Sequence, residues 1–330
     1  MPLDMLNSMK KINHVLGAFS LFLTLNAAHA AAAEKIRIGW QKPWATQGQL
    51  VIVLKSTDIL KKNKINNVDF IGANSGPELN ELAVANEIDM ILTADQPAAL
   101  LFSKSDQWVG IGRLMYNRTS TYVPLNSDIK TLKDLKKKTV GVPIGAAAER
   151  ILVGGLIEAG LDPKTDVKIL NLAMTEQSPL IQKSLGEKTW GDFDALSGFD
   201  PIPAVLETEN KVRSIHSGKV VALVLLNKKL IADNKLTAKR IMQSVKDAYS
   251  YYKKNTKAID ELYAKEVNSN FTSQALKLAA TVEPNLTSEK ISTLISEDDF
   301  KLLQEAADFA TMKSGKKINM RDFVTNKYVE

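Results

Sequence analysis

The chain has 330 residues, of which 45% are hydrophobic and 24% are charged, a composition typical of a globular protein long enough for two lobes. The net charge is only +6 and the lysines are interspersed with acidic residues, so no nucleic-acid partner is indicated. No cysteine is present, which excludes disulfides, thiolate nucleophiles and cysteine-ligated metals.

The N-terminal segment has the pattern of a secretory signal peptide. Lys10 and Lys11 precede an apolar stretch over residues 15–25, and Ala28-His29-Ala30 supplies the small residues that a signal peptidase reads. We predict that residues 1–30 are removed and that the mature protein is soluble in a bacterial periplasm; the alternative is an uncleaved anchor. Cleavage would leave His216 as the only histidine, so we expect neither a histidine-rich metal site nor a cofactor.

Strands and helices alternate in the first part of the mature chain. Strands are predicted over residues 35–40, 68–71, 88–92 and 108–114, and helices over residues 50–60, from about 76, and over 98–104. Such alternation predicts a mostly parallel sheet, in which ligands bind beyond the carboxyl ends of the strands. The candidate binding residues at those ends are Trp40, Gln41, Trp44, Ser75, Gly76, Thr93, Asp95 and Asn117.

A second, smaller alternation follows. It comprises predicted strands over residues 139–142, 167–170 and 192–196, with helices from 146 and over 176–185. An apolar run over 220–226 returns to the first unit, and the chain from 236 onward is helical. The glycine turn before the helix at 146 could hold an anion, because the first N–H groups of a helix lack internal partners. The candidate binding residues here are Gly145, Ala146, Phe199 and Asp200.

Four of these candidates also have a structural interpretation. Trp40 and Trp44 suit stacking on a flat ligand but equally suit core packing. Asp95 and Asp200 suit an amine or a hydroxyl, yet each lies near a proline and could cap a helix.

Three sets of residues together resemble a known family. The order and spacing of these motifs, with the signal peptide, resemble the periplasmic solute-binding proteins of ABC importers in the nitrate, sulfonate, taurine and thiamine-precursor group. The motifs are Ser75-Gly76-Pro77 with Asn80-Glu81-Leu82-Ala83 and Glu87-Ile88-Asp89; Leu132-Lys133-Asp134-Leu135 through Thr139-Val140-Gly141-Val142-Pro143-Ile144-Gly145 with Glu158-Ala159-Gly160-Leu161; and Asp194-Ala195 with Phe199-Asp200-Pro201.

The resemblance implies a two-lobe α/β fold of the periplasmic-binding-protein type (type II), each lobe a mostly parallel sheet flanked by helices. Lobe 1 would comprise residues 31–122 and 220–330 and lobe 2 residues 123–219, joined by extended crossovers near 119–124 and 219–225. The cleft between them would capture a small solute, a sulfonate or similar oxyanion or a small nitrogenous compound. A monomer would then deliver that solute to an ABC transporter permease.

Two other functions remain open on the sequence. The same fold could carry a lyase or synthase that uses Asp95, Asp200 or Glu149 as an acid or base, although the scarcity of histidine and the absence of cysteine count against it. The chain could instead be a ligand-sensing partner of a membrane receptor.

Overall fold

A computed structural model describes residues 35–234 and 236–329 of the chain. The predicted signal peptide lies outside the described residues. Among the residues that are described, no helix combines the length and the apolar character needed to cross a membrane.

The first part of the chain alternates strand and helix as the sequence predicts. Its elements are β1 (Ile36–Gln41), α1 (Gln47–Ser56), α2 (Ile59–Lys62), β2 (Val68–Ala73), α3 (Gly76–Val84), β3 (Met90–Ala94) and α4 (Asp95–Lys104). The helix predicted over residues 50–60 is broken between α1 and α2. The hydroxyls of Ser56 and Thr57 donate to the carbonyls of Ile52 and Val53, and Thr57 takes an extended conformation.

The middle of the chain contains two long strands with shorter elements between them. The elements are β4 (Trp108–Pro124), β5 (Thr139–Val142), α5 (Ala147–Glu158), β6 (Lys168–Asn171), α6 (Met174–Lys183), β7 (Ala195–Phe199), α7 (Ile202–Thr208) and β8 (Val212–Asn227). The predicted strand over 108–114 and the predicted crossover over 119–124 are therefore parts of one strand. The predicted crossover over 219–225 likewise lies inside β8.

The last part of the described chain is helical. It comprises α8 (Lys228–Asp233), α9 (Thr237–Lys254), α10 (Thr256–Glu266), α11 (Ser273–Ala279) and α12 (Glu297–Ser314), with short 3-10 turns at Ala280–Val282, Pro284–Leu286 and Met320–Asp322.

All eight strands form one mixed sheet in the order β2-β1-β3-β8-β4-β7-β5-β6. The flanks β2-β1-β3 and β6-β5-β7 are parallel, whereas the pairs β3-β8, β8-β4 and β4-β7 are antiparallel. β3 pairs with Ala222–Leu226 of β8, but β7 pairs with Thr119–Tyr122 of β4. The sheet thus has a first half (β2, β1, β3) and a second half (β7, β5, β6) attached to opposite ends of the β4–β8 ladder.

Helices cover both faces of this sheet, as the side chains of β8 show. Val220, Ala222 and Val224 belong to the core cluster that includes α1 and α9. Val221, Leu223 and Leu225 belong to the cluster beneath α4 and α12. Burial on both faces explains why residues 220–226 form an uninterrupted apolar run instead of alternating with polar residues.

Candidate functional site

A narrow cavity lies between the two halves of the sheet, at the middle of the β4–β8 ladder. Its volume is about 10 Å³, enough for roughly one water molecule. The first half contributes one wall, the second half the opposite wall, and the two long strands the base. The lining residues are Gln41, Trp44, Ala94, Pro97, Asn117, Thr119, Ala146, Ala147, Phe199 and Val220.

Two aromatic side chains meet across this cleft. The ring centroids of Trp44 and Phe199 lie 6.4 Å apart with an interplanar angle of 73°, an edge-to-face arrangement. Trp44 belongs to the loop between β1 and α1, whereas Phe199 ends β7. The cleft therefore has an apolar wall made jointly by both halves.

Unpartnered polar groups lie beside this aromatic wall. Asn117 is 1% exposed, and its Nδ2 donates to the Asp200 carbonyl at 3.4 Å, but its Oδ1 has no hydrogen-bond partner among the described residues. Gln96 lies between the lining residues Ala94 and Pro97, and neither polar atom of its buried side chain has a partner in the described chain. Buried polar atoms without a partner are costly, so Asn117, which lines the cavity, is suited to a polar ligand or a bound water.

The start of α5 forms the wall opposite Trp44. Ala147 is its first residue, and the preceding Gly145 has φ of +85°, which favours glycine. Glu149 accepts a hydrogen bond at 2.8 Å from the Gly145 N–H and so fixes this turn. The positive end of the α5 dipole faces the cleft through Ala146 and Ala147.

Each carboxylate close to the cleft has a cationic partner. Asp95 Oδ2 accepts from Arg150 Nη2 at 2.7 Å and from the Val221 N–H at 3.2 Å. Both oxygens of Glu149 lie within hydrogen-bond distance of Lys313 Nζ, at 2.6 and 2.7 Å. Asp95 belongs to α4 and Lys313 to α12, while Arg150 and Glu149 belong to α5, so both ion pairs connect the two halves.

Asp200 is likewise engaged by the protein. Arg118 donates to both of its carboxylate oxygens, at 2.8 and 3.1 Å, and also pairs with Glu207 at 3.0 Å. Burial raises the pKa of the Asp200 carboxyl, and the hydrogen bonds and charge of Arg118 oppose that rise. Asp200 Oδ1 also accepts from the Ala204 N–H at 3.0 Å, which caps α7. Its side chain is therefore structural, and its carbonyl oxygen is the part that points toward Asn117.

The structure brings only some of the predicted residues together at the cleft. Those that line it are Gln41, Trp44, Asn117, Ala146 and Phe199. Four others lie next to lining residues but do not line the cavity themselves: Gly76, Gly145, Asp95 and Asp200. Gly76 packs tightly against the lining residue Pro97, since an added Cβ on Gly76 would lie 2.3 Å from Pro97 Cγ.

Three further predicted residues have mainly structural contacts. Ser75 Oγ accepts a hydrogen bond at 3.3 Å from the Glu78 N–H and so caps α3. Trp40 packs in the core on the face covered by α1, and Lys55 Nζ lies 5.8 Å from its ring centroid. Thr93 is fully buried in β3, and its hydroxyl has no partner in the described chain.

Some lining residues were not predicted. Ala94 and Ala147 each neighbour a predicted residue in sequence, and Pro97 lies two positions after Asp95. Thr119 and Val220 lie at the middle of the ladder. The sequence pattern did not indicate them as binding residues, because residues 119–124 and 219–225 are predicted there as crossovers between the lobes. Among the described residues, no group of three or more potential ligand side chains could hold a metal ion.

Comparisons with known proteins identify the family and the fold of the chain. The model of the NMT1-like family matches residues 29–265. A protein of Escherichia coli (strain K12) named as an aliphatic sulfonates-binding protein is 28% identical over 202 residues, which is 59% of this chain and 58% of that relative. The chain thus spans less than two thirds of that relative's length.

Solved structures share the fold over most of the chain. The alkanesulfonate-binding protein SsuA from Xanthomonas axonopodis pv. citri, bound to MOPS, superposes with a TM-score of 0.71 at 17% identity, covering 88% of this chain and 98% of that one. The periplasmic nitrate-binding protein NrtA from Synechocystis PCC 6803 gives a TM-score of 0.66 at 12% identity, covering 89% and 86%. These likenesses confirm the predicted periplasmic-binding-protein fold.

Proposed function

The chain belongs to the NMT1-like family, and on that premise we propose that it captures a small solute in the cleft and delivers it to an ABC transporter permease. The Escherichia coli relative, named for binding aliphatic sulfonates, supports this role. We infer binding without turnover, since the carboxylates near the cleft are held in ion pairs and the ladder supplies no nucleophile-base pair to it.

The ligand class that fits this cleft best is a small oxyanion with an organic group, such as an alkanesulfonate. The observation that carries this proposal is the composition of the lining, which combines the α5 N-terminus, neutral polar side chains and no charged residue. A helix N-terminus stabilises an oxyanion through its N–H groups and dipole. An ammonium group would instead need a free carboxylate, and Asp95 and Asp200 are both paired with arginines.

The organic part of such a ligand would lie against the aromatic wall. Trp44 and Phe199 offer apolar surface from opposite halves, and Val220 adds to it from β8. A ligand held between them, with the rings further apart than the 6.4 Å seen here, contacts both halves at once, so that partial closure is favoured by contacts that a fully open state lacks.

Ligand entry requires the two halves to separate, since the cavity holds about one water molecule. We propose that the two lobes move as bodies and that the ladder bends near Met115–Arg118 and the facing Lys219–Ala222. Residues 119–122, which pair with β7, would then move with lobe 2 (123–219), and the remainder of 31–122 with 220–330 would move as lobe 1. We further propose cleavage of the signal peptide after Ala30, residence in the periplasm and a monomeric state.

The test is identification of the ligand followed by calorimetry. Native mass spectrometry of the mature protein would reveal a co-purified solute, and titration would then compare alkanesulfonates, nitrate and small amines. We expect micromolar or tighter binding of a sulfonate. Tight binding of amines alone would overturn the oxyanion assignment, and turnover of the bound solute would overturn the inference of a non-catalytic protein.

A charge placed in the cleft gives the sharper control. Asn117→Asp would add a carboxylate beside the proposed oxyanion and should weaken its binding by about a hundredfold or more. Asn66→Asp, on an exposed residue outside the cleft lining, should leave the affinity unchanged. Equal affinities in the two variants would place the solute elsewhere.

A further inference from the structure

A second cavity lies outside the cleft, among the C-terminal helices, where α9, α10 and α11 meet. Its volume is about 500 Å³, within the range of pockets that take small-molecule ligands. The lining residues are Tyr252, Lys253, Thr256, Lys257, Asp260, Ser273, Leu276, Lys277, Ala280, Thr281, Leu286 and Thr287. None of them lines the cleft, and nothing in the solute-binding role accounts for a cavity of this size.

A buried carboxyl group lies at the bottom of this cavity. Asp260 is 5% exposed, and its Oδ1 accepts hydrogen bonds from Tyr252 Oη at 2.7 Å and from Gln49 Nε2 at 3.3 Å. Its Oδ2 has no hydrogen-bond partner, and the carboxyl has no ion pair, within the part of the chain that is described. Burial raises the pKa of Asp260, while the hydrogen bonds from Tyr252 and Gln49 oppose the rise. Because Asp260 lines the cavity, this oxygen is open to an incoming hydrogen-bond donor.

The mouth of the cavity is basic. Three lysines line it, one from each helix: Lys253 of α9, Lys257 of α10 and Lys277 of α11. Lys257 and Lys277 are exposed. Lys253 donates to the Ser288 carbonyl. Neither Lys257 nor Lys277 forms an ion pair or hydrogen bond with another described residue, so both are available to an anion.

The walls between the carboxyl and the lysines are apolar. Leu276 is buried and Leu286 half-buried, and Ala280 and the Tyr252 ring complete the surface. An alkyl or aryl group placed there would leave water, which favours binding in proportion to the apolar surface buried.

We propose that this cavity binds a small amphipathic anion that carries a hydroxyl or amino group at its other end. The hydroxyl or amino group donates to Asp260 Oδ2, the apolar middle lies on Leu276 and Leu286, and the anionic end pairs with Lys257 and Lys277. The site is separate from the proposed solute cleft and does not depend on the identity of the cleft ligand.

The position of the cavity connects it to the cleft. Gln49, which holds Asp260, also accepts a hydrogen bond through Oε1 from the Thr46 N–H, in the loop that carries Trp44. On the other side, α11 packs against α7, which follows Phe199 and Asp200. A ligand in the second cavity therefore touches helices that lead to both walls of the cleft.

The test uses 8-hydroxyoctanoate as the probe, titrated into the mature protein by calorimetry. We expect saturable binding with one site, and octanoate, which lacks the hydroxyl, should bind about tenfold more weakly. Octyltrimethylammonium, with the opposite charge, should not bind. Absence of heat from 8-hydroxyoctanoate up to millimolar concentration would overturn the proposal.

Variants then locate the probe. The double variant Lys257→Glu with Lys277→Glu changes two exposed residues and should weaken binding by about tenfold or more, because attraction becomes repulsion. Lys239→Glu, an exposed lysine on α9 that does not line the cavity, is the matched control and should bind as the wild type does. Unchanged affinity in the double variant would contradict the proposal. A loss of affinity for 8-hydroxyoctanoate in Asn117→Asp alone would also contradict the proposal, since that result would place the probe in the cleft.

Discussion

Arg150 of α5 donates from Nη2 to Oδ2 of Asp95 at the start of α4, with 2.7 Å between the two atoms and both side chains almost fully buried. The pair crosses from the second half of the sheet to the first, directly behind the cleft lining. Such a buried pair contributes little net stability compared with apolar side chains, but removal of one partner leaves an uncompensated charge. The closed arrangement therefore depends on both residues together.

The first prediction concerns this pair. Arg150→Gln should lower the free energy of unfolding by about 3 kcal/mol, because Asp95 stays buried without its cation. The double variant Arg150→Gln with Asp95→Asn should recover a large part of that loss, since no buried charge remains. Urea denaturation of the three proteins measures both effects. A single variant that unfolds with the wild-type midpoint would show that the pair does not hold the halves together.

Lys313 offers a milder change at the rim of the same interface. Its ammonium group pairs with both oxygens of the buried Glu149 but is itself about one-third exposed, so Lys313→Gln should cost about 1–2 kcal/mol, less than Arg150→Gln. We nevertheless expect the ligand-free protein to open, with a larger radius of gyration by X-ray scattering. Lys301→Gln is the matched control, because the pair of Lys301 with Asp298 lies within α12. Equal radii of gyration in the two variants would show that the Glu149–Lys313 pair does not hold the two halves together.

Two glycines near α5 distinguish backbone strain from helix propensity. Gly145 has φ of +85°, and a Cβ there would lie 3.2 Å from Pro77 Cγ of the facing half. Gly145→Ala should cost about 1–2 kcal/mol of stability and weaken ligand binding. Gly154 lies inside α5 with no atom near its virtual Cβ, so Gly154→Ala should stabilise by up to about 1 kcal/mol. Thermal unfolding compares them, and a shift of the same sign in both would contradict the explanation.

His216 should make stability pH-dependent. Burial lowers its pKa below 6.5, and the charge of Glu158 and a backbone hydrogen bond with Ile151 oppose that shift. Because the unfolded chain binds the proton more readily than the folded one, stability should fall as the pH drops below 6.5 and stop falling once it passes the folded pKa. His216→Gln should flatten the change in melting temperature between about pH 7 and pH 5. If the melting temperature of His216→Gln changes with pH as steeply as that of the wild type, other titratable groups cause the pH dependence.

The order of the strands and helices could be predicted from the sequence because local patterns determine most of it. The strand at Thr139–Val142 and the helix after Ala146 follow from β-branched residues, a glycine turn and an apolar helix face. β4 was harder to predict. Its register against β8 shifts between Gly110 and Gly112 and again between Arg113 and Met115, and such irregularities interrupt the alternation of side chains that marks a strand.

The cleft was only partly predictable, for a different reason. Position at a strand end indicated Trp44, Phe199 and Asn117, which the structure places in the cleft lining; their contact with a ligand stays a prediction. It could not reveal that Asp95 pairs with a residue 55 positions away and Asp200 with one 82 positions away, because ion pairs depend on tertiary structure. Trp40 illustrates the same limit, since Trp44 in the loop after β1 lines the cleft whereas Trp40, within β1, packs in the core.

The strand order also has a consequence for how the chain folds as it is synthesised. β3 pairs on one side with β8, and the core that covers β1 includes side chains of α9. The first half therefore stays incomplete until β8 and α9 have been synthesised. By contrast, the strands from β4 to β7 and the helices between them are nearly contiguous and can pair early. A long N-terminal stretch with exposed apolar strands must therefore wait for its partners, which makes it the segment most in need of protection from aggregation. The half of the sheet that is synthesised first is the half that is finished last.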